Sequence, residues 1–176
     1  LYWAMAAAQA LGGVAVPLYQ DAIAEEMRYV LQDAGVRFVM VEDQEQVDKL
    51  LEVLPDCPVI ERVVYDDTRG MRHYDHPTLM SFEALEQRGD AHDRAHPGFH
   101  DESVAAGRDT DVCVMLYTSG TTGKPKGVRL THAAMIATAR VLAQFDRLDD
   151  TADMLCYLPM AWVGDFLYPF AQAHVA

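Results

Sequence analysis

The chain has 176 residues, 51% of them hydrophobic, and it carries 14 Lys and Arg against 27 Asp and Glu, a formal net charge of −13. The length and composition suit a globular protein with one hydrophobic core. The excess of acidic residues argues against nucleic-acid binding. Because the chain as a whole repels anions, any anionic ligand requires a local cluster of basic residues. The sequence contains no apolar run of the roughly eighteen residues that a membrane span needs, and its Ala-rich opening lacks the basic start of a signal peptide.

The first third of the chain alternates helical and extended patterns. Three helices are predicted over residues 1–11, 23–34 and 47–54, and three strands over residues 14–19, 36–41 and 59–65. Gly12, Gly35 and Pro55 punctuate the helices, and Pro17 marks an end or an edge of the first strand. The resulting βαβαβ order predicts a parallel sheet with right-handed crossovers.

Between residues 66 and 108 the pattern loosens, which predicts a long surface excursion with one short helix over residues 81–88. His92, His96 and His100 are spaced by four and would align on a continuous helix. Pro97 and Gly98 interrupt such a helix, so a solvated segment is favoured over a metal site.

The three cysteines, Cys57, Cys113 and Cys156, each lie in or beside an apolar run, and none belongs to a Cys-x-x-Cys pair. This usage predicts buried thiols in a reducing compartment.

Residues 117–128, Tyr-Thr-Ser-Gly-Thr-Thr-Gly-Lys-Pro-Lys-Gly-Val, form the most informative segment of the chain. Glycines let backbone N–H groups approach a ligand, hydroxyls donate to phosphate oxygens, and lysines neutralise charge. The apolar run over residues 111–117 predicts a buried strand that leads into this loop, at the kind of strand end where open α/β sheets bind ligands. From residue 112 to residue 145 the sequence contains no acidic side chain, whereas Lys124, Lys126, Arg129 and Arg140 all fall there. The segment therefore predicts a phosphate-binding loop.

A Walker A loop is the main alternative for such a composition, and it requires Ser or Thr after Gly-Lys, followed by a helix. Here Pro125 follows Lys124 and favours an extended conformation before it. A strand–loop–strand arrangement is therefore expected, with a second strand over residues 127–130. Thr131 is a predicted N-cap for a helix that buries Met135, Ala139, Leu142 and Phe145, and a further buried strand is expected over residues 154–158.

The pattern of residues 117–128 resembles the signature of the adenylate-forming (AMP-binding) superfamily, most like that of long-chain fatty acyl-CoA synthetases. Residues 13–19, 24–31 and 39–47 before the loop, and Leu-Pro-Met-Ala over 158–161 after it, are similar to the same enzymes. The resemblance implies an α/β fold with a layered, parallel-rich sheet and flanking helices. It also implies that residues 1–176 are an internal fragment, an incomplete N-terminal AMP-binding domain without the C-terminal domain.

The resemblance further implies a two-step reaction. A fatty acid carboxylate attacks the α-phosphate of ATP with Mg²⁺ present, giving acyl-AMP and pyrophosphate, and the thiol of coenzyme A then takes the acyl group. On the matching positions, Lys126 would pair with the departing pyrophosphate as the catalytic residue, and Thr118 would also contact the metal. The ATP phosphates would be wrapped by Thr118, Ser119, Gly120, Thr121, Thr122 and Gly123. Lys124 occupies the free position of the pattern, so its charge is expected to be auxiliary.

Trp162 departs from the family pattern, which often places a histidine after Leu-Pro-x-Ala. A tryptophan cannot accept a proton, and its role as core residue or as wall of an acyl tunnel stays open. The expected setting is the cytoplasm, with fatty acid, ATP and coenzyme A as partners, no nucleic acid, and contact with a membrane surface left open. Three alternatives remain: a fatty acyl-AMP ligase, a peptide-synthetase adenylation domain, and a non-catalytic nucleotide-binding module. The fragment alone is expected to be inactive.

Overall fold

The computed structural model describes residues 2–118 and 123–175. In chain order its helices are α1 (Tyr2–Ala10), α2 (Ala24–Asp33), α3 (Gln44–Val53), α4 (Phe82–Ala95), α5 (Phe99–Ala106), α6 (His132–Asp146) and α7 (Val163–Asp165). The strands are β1 (Phe38–Val41), β2 (Arg62–Tyr65), β3 (Leu79–Ser81), β4 (Val112–Thr118) and β5 (Lys126–Thr131). Contacts divide the chain into two compact units: one is Gln20–Asp101, and the other joins Tyr2–Tyr19 to the residues from Glu102 onward.

The first unit is an α/β layer around a parallel sheet in the order β1-β2-β3. Helix α3 begins at the N-cap Asp43, whose carboxylate accepts a hydrogen bond from the Gln46 N–H at 3.2 Å, and this contact satisfies one of the free donors at the helix start. The apolar face of α3 lies over the sheet, and Val47, Leu50 and Val63 are fully buried. The predicted strands over 36–41 and 59–65 are thus confirmed in shorter form, together with their parallel pairing.

The strand predicted over residues 14–19 does not join this parallel sheet. Only Ala15 pairs there, by a single parallel bridge to Val114 in the second unit, with Ala15 N–H donating to the Cys113 carbonyl at 3.2 Å. The Met115 N–H donates back to the Ala15 carbonyl at 2.8 Å. Pro17, which lacks an N–H, cannot extend such a ladder, and this explains why the pairing stops after one bridge.

The excursion predicted over residues 66–108 is more regular than its composition indicated. It contributes β3, and α4 continues to Ala95, seven residues beyond the predicted end at 88. The Ser81 hydroxyl caps α4 by accepting from the Ala84 N–H at 3.2 Å. Helices α4 and α5 bury none of their residues, whereas Met71 earlier in the segment is buried. The surface excursion over residues 66–108 therefore stays a prediction.

The second unit is built around the antiparallel pair of β4 and β5. Its core comprises Met5, Ala15, Cys113, Val114, Leu116, Met135 and Phe166. The strand predicted over 154–158 is absent: that segment has no regular structure, and Leu155 and Tyr157 are 84% and 75% exposed. Phe145 is also exposed. Residues four apart share a helix face, and the buried face of α6 is formed by Met135, Ala139 and Ala143, so Phe145 lies on another face.

Candidate functional site

The candidate phosphate loop connects β4 and β5, which pair in antiparallel register with Thr118 opposite Lys126 and Tyr117 opposite Gly127. Residues directly opposite in such a pair project from the same face, with Cβ atoms about 4.5–5.5 Å apart. The hydroxyl of Thr118 and the ammonium-bearing chain of Lys126 therefore leave the same face at the mouth of the loop, and both residues are exposed. The strand–loop–strand arrangement expected from Pro125 is confirmed.

The loop rests on a buried strand. Cys113, Val114 and Leu116 of β4 are at most 5% exposed, and packing of this strand fixes the position at which the chain emerges as Thr118. The Cys113 thiol donates to the Leu130 carbonyl of β5 at 3.4 Å, and burial raises the pKa of this thiol. A protonated, enclosed thiol is a packing group rather than a nucleophile.

Gly127 allows the close packing beneath the loop. A Cβ atom at this position would lie 2.7 Å from the Met115 sulfur and 3.2 Å from the Cζ atom of Tyr117. The side chains of Met115 and Tyr117 therefore lie close to the backbone of Gly127, and a side chain there would force them to move. The glycine of the motif has a structural task here that is separate from any contact with a ligand.

Of the residues predicted to wrap the ATP phosphates, Ser119, Gly120, Thr121 and Thr122 lie outside the described residues. Gly123 has a φ of +138°, and no atom lies within 4 Å of a Cβ built on it. This backbone conformation favours glycine, and Gly123 is exposed. The described part of the loop thus brings together Thr118 and Lys126, with Gly123 exposed at its other end.

The arrangement suits a phosphate group chemically. A hydroxyl, an ammonium group and glycine backbone are the donors that phosphate oxygens accept, and no acidic residue occurs in the sequence from 112 to 145 to oppose them. Mg²⁺ in nucleotide sites is held through one or two protein oxygens and the substrate phosphates. No cluster of three His, Cys, Asp or Glu side chains suited to a metal occurs within residues 2–118 and 123–175, and the assignment of Thr118 to a metal stays a prediction.

The helix after the loop begins as predicted. The Thr131 hydroxyl accepts a hydrogen bond from the Ala134 N–H at 3.3 Å, and α6 follows directly from β5. This cap, together with the buried Met135 and Ala139, ties the end of β5 to the core of the second unit.

One buried polar contact was not predicted from the sequence. The Asp165 carboxylate is 2% exposed and accepts a hydrogen bond from the Tyr2 hydroxyl at 2.9 Å. Burial, and next the neighbouring Asp165 carboxylate, raise the pKa of Tyr2. The two residues are 163 positions apart, and a lone Asp in an apolar segment was the one available signal for a buried partner.

Trp162 is 49% exposed, so it is not a core residue.

The remaining candidates belong to other segments of the chain. The rings of His92 and His96 stack with centroids 4.3 Å apart at the end of α4, and His92, His96 and His100 are all exposed. The predicted break at Pro97 and Gly98 is confirmed, since α4 ends at Ala95 and Gly98 has a φ of +87°. Cys57 is buried as predicted, but Cys156 is exposed, because its segment forms no strand.

Comparison with known proteins defines the class of this fold and loop. The profile of the AMP-binding enzyme family matches residues 1–174. The chain therefore belongs to the AMP-binding enzyme family.

Its relatives include long-chain-fatty-acid–CoA ligases. The chain is 31% identical over 160 residues to the ligase ACSBG2 of Xenopus laevis, covering 87% of this chain and 21% of that protein. It is 29% identical over 156 residues to the ligase FadD15 of Mycobacterium tuberculosis, covering 88% of this chain and 24% of that protein. The chain thus spans about a fifth to a quarter of the length of these curated relatives.

Solved structures agree on the fold. The ATP-bound MatB from Rhodopseudomonas palustris aligns with 99% of this chain and 30% of its own, at a TM-score of 0.64 and 18% identity. The luciferase-like enzyme of the mealworm Zophobas morio aligns with 96% of this chain and 36% of its own, at a TM-score of 0.64 and 16% identity. The expected α/β fold with a parallel sheet and flanking helices is confirmed. No helix in the described part of the chain has the length and apolarity to cross a bilayer.

Proposed function

We propose that the full-length protein is an ATP-dependent long-chain fatty acid–CoA ligase and that this chain is part of its N-terminal AMP-binding domain, spanning residues 1–176. The observation that carries the proposal is the register of β4 and β5, which places Lys126 opposite Thr118 at the mouth of a Gly/Ser/Thr-rich loop. Membership of the AMP-binding enzyme family and relatives that are long-chain-fatty-acid–CoA ligases support it.

In the proposed reaction the loop holds the phosphates of ATP. Thr118 and Gly123 act from its two described ends, and Ser119, Gly120, Thr121 and Thr122 act between them. Lys126 pairs with the pyrophosphate as it leaves, and this contact strengthens as negative charge builds on the bridging oxygen. Lys126 is the suited lysine, because its strand pairing fixes the backbone beneath it, whereas Lys124 precedes Pro125 outside the ladder.

Thr118 is the proposed protein ligand of Mg²⁺. When bound, the metal neutralises charge on the phosphates. The task of the chain is to position the phosphates: the buried β4 anchors Thr118, and the open backbone at Gly123 admits the oxygens. Coenzyme A is the proposed acceptor of the acyl group. The proposed setting is the cytoplasm, with small molecules as substrates.

The proposal is tested by ATP–pyrophosphate exchange in the full-length protein with a long-chain fatty acid, followed by assay of the acyl-CoA thioester. Fatty acid-dependent exchange with thioester formation is the expected result. Exchange without the thioester would identify a fatty acyl-AMP ligase, and exchange driven by amino acids would identify a peptide-synthetase adenylation domain. Absence of exchange with any carboxylate, despite nucleotide binding, would identify a non-catalytic module.

A further inference from the structure

A groove lies at the C-terminal end of α6, well away in sequence from the phosphate loop. Its volume is about 330 Å³, and it is lined by Arg140, Ala143, Gln144, Arg147, Leu148 and Val175. Both arginines line this groove: Arg140 belongs to α6, and Arg147 directly follows its last residue, Asp146. Ala143, Leu148 and Val175 give the groove an apolar floor.

The two arginines carry unneutralised charge in an acidic chain. Within residues 2–118 and 123–175, neither Arg140 nor Arg147 has a carboxylate within 4.0 Å, a property they share with Arg62, Arg72, Arg88, Arg94 and Arg129, whereas Arg28, Arg37, Arg69 and Arg108 each form an ion pair. Four acidic residues lie close by in sequence, Asp146, Asp149, Asp150 and Asp153, and none of them lines the groove. Asp149 accepts hydrogen bonds from the backbone N–H and the hydroxyl of Thr151.

Arg147 occupies a backbone position that ordinarily selects glycine. Its φ of +56° is the one positive value at a non-glycine residue in the described ranges. Leu148 N–H donates to the Ala143 carbonyl at 2.9 Å and Arg147 N–H to the Gln144 carbonyl at 3.3 Å, the pairing of a Schellman motif in which Gly is the usual residue. An arginine is disfavoured here by its Cβ atom. A cation near the helix end could be placed one residue earlier without that cost.

We propose that this groove binds a phosphate group, with Arg140 and Arg147 as its two charged ligands. Guanidinium groups match phosphate oxygens with paired N–H donors, and the Gln144 amide adds a neutral donor from the same wall. The apolar floor suits a phosphate attached to a small apolar group. The proposal stands apart from the ligase reaction, since it uses none of the residues assigned to the loop.

Phosphate of this kind can come from a soluble compound or from a lipid headgroup, and two probes distinguish them. Inorganic phosphate, followed by isothermal titration calorimetry on the full-length protein, reports the free group. Co-sedimentation with phosphatidylcholine vesicles containing phosphatidic acid, compared with pure phosphatidylcholine, reports the headgroup. Binding of phosphate alone identifies a soluble compound, whereas vesicle binding that depends on the two arginines identifies the lipid.

The titrations are made in a background with both Lys124→Met and Lys126→Met, which removes the two competing cations of the loop. Arg140→Gln with Arg147→Gln is expected to weaken phosphate binding at least tenfold. Arg72→Gln with Arg94→Gln removes the same charge from two exposed positions and is expected to leave the affinity within twofold. Equal losses of phosphate affinity in the two double variants would show that only the overall charge of the protein matters, and would overturn the proposal. Failure to bind either inorganic phosphate or the vesicles would also overturn it.

Arg147→Gly separates binding from folding. Glycine suits a φ of +56° better than arginine does, so this variant is expected to melt at the same or a higher temperature while losing about as much phosphate affinity as Arg147→Gln. An unchanged affinity in a stable Arg147→Gly protein would show that Arg147 only ends the helix, and the proposal would fail.

Discussion

Thr118 and Lys126 face each other across the last pair of the β4–β5 ladder. The ladder is anchored by a buried strand, so this facing relationship is a property of the core and not of the loop alone. It places a hydroxyl and an ammonium group on one face at the point where the chain turns into the Gly/Ser/Thr segment. The two lysines of the segment are therefore inequivalent although only two residues separate them.

The first prediction uses that inequivalence. Lys126→Met in the full-length protein should lower fatty acid-dependent ATP–pyrophosphate exchange by on the order of a hundred- to a thousandfold, because it removes one preorganised donor to developing charge. Lys124→Met should cost far less. Circular dichroism of both variants checks that each is folded. Equal losses, or a larger loss at Lys124, would show that the loop acts only as a diffuse basic patch.

The second prediction concerns Gly127, whose added Cβ would meet the Met115 sulfur at 2.7 Å. Gly127→Ala should lower the turnover number of the exchange reaction more than it raises KM for ATP, because it displaces Lys126 from its place opposite Thr118. Met115→Ala removes the nearest obstructing atoms, so the double variant should recover part of the lost turnover. Tyr117 still crowds the site, at 3.2 Å, so recovery is expected to be partial. A double variant no more active than Gly127→Ala would contradict this account.

The third prediction tests the start of α6. Thr131→Ala removes the hydroxyl that accepts from the Ala134 N–H and should destabilise the protein by about 1 kcal/mol. Thr138→Ala is the matched control: the exposed Thr138 hydroxyl donates to the Ala134 carbonyl at 2.8 Å within α6, where alanine is the better helix former. Urea denaturation should therefore show a lowered midpoint for Thr131→Ala only. A comparable loss at Thr138 would rule out capping as the cause.

The fourth prediction follows from the raised pKa of Tyr2. Burial and Asp165 keep this hydroxyl protonated in the folded state to a higher pH than in the unfolded state, where the pKa is 10.0. Its contribution to stability is therefore complete below pH 10 and is lost as the pH rises further. Tyr2→Phe should flatten the alkaline fall of the unfolding free energy above pH 10.

At pH 7 the same substitution leaves the buried Asp165 without the Tyr2 hydroxyl, so Tyr2→Phe should also cost about 1–3 kcal/mol. Tyr157→Phe serves as the control, since Tyr157 is 75% exposed. Thermal unfolding across pH 7 to 11 measures both effects. An alkaline slope that is identical in the wild type and Tyr2→Phe would refute the assignment of Tyr2.

The sequence by itself determined the local features of this protein. The order of glycines, hydroxyls and lysines over residues 117–128 predicted the loop, Pro125 predicted that a strand and not a helix follows it, and Thr131 predicted the cap of α6. These features depend on residues within a few positions of each other, where backbone preference and side-chain chemistry act directly. The same holds for the break at Pro97 and Gly98.

Tertiary structure alone decided the features that join distant segments. Ala15 pairs with Val114 instead of entering the parallel sheet, Tyr2 reaches Asp165, and Met115 packs over Gly127. The spacing of apolar residues indicates a buried face but not which part of the fold will cover it. For this reason the prediction of a strand over residues 154–158 was wrong. A strand needs a neighbouring strand that pairs with its backbone N–H and C=O groups. Which strand edges are free for such pairing is decided by the folded structure.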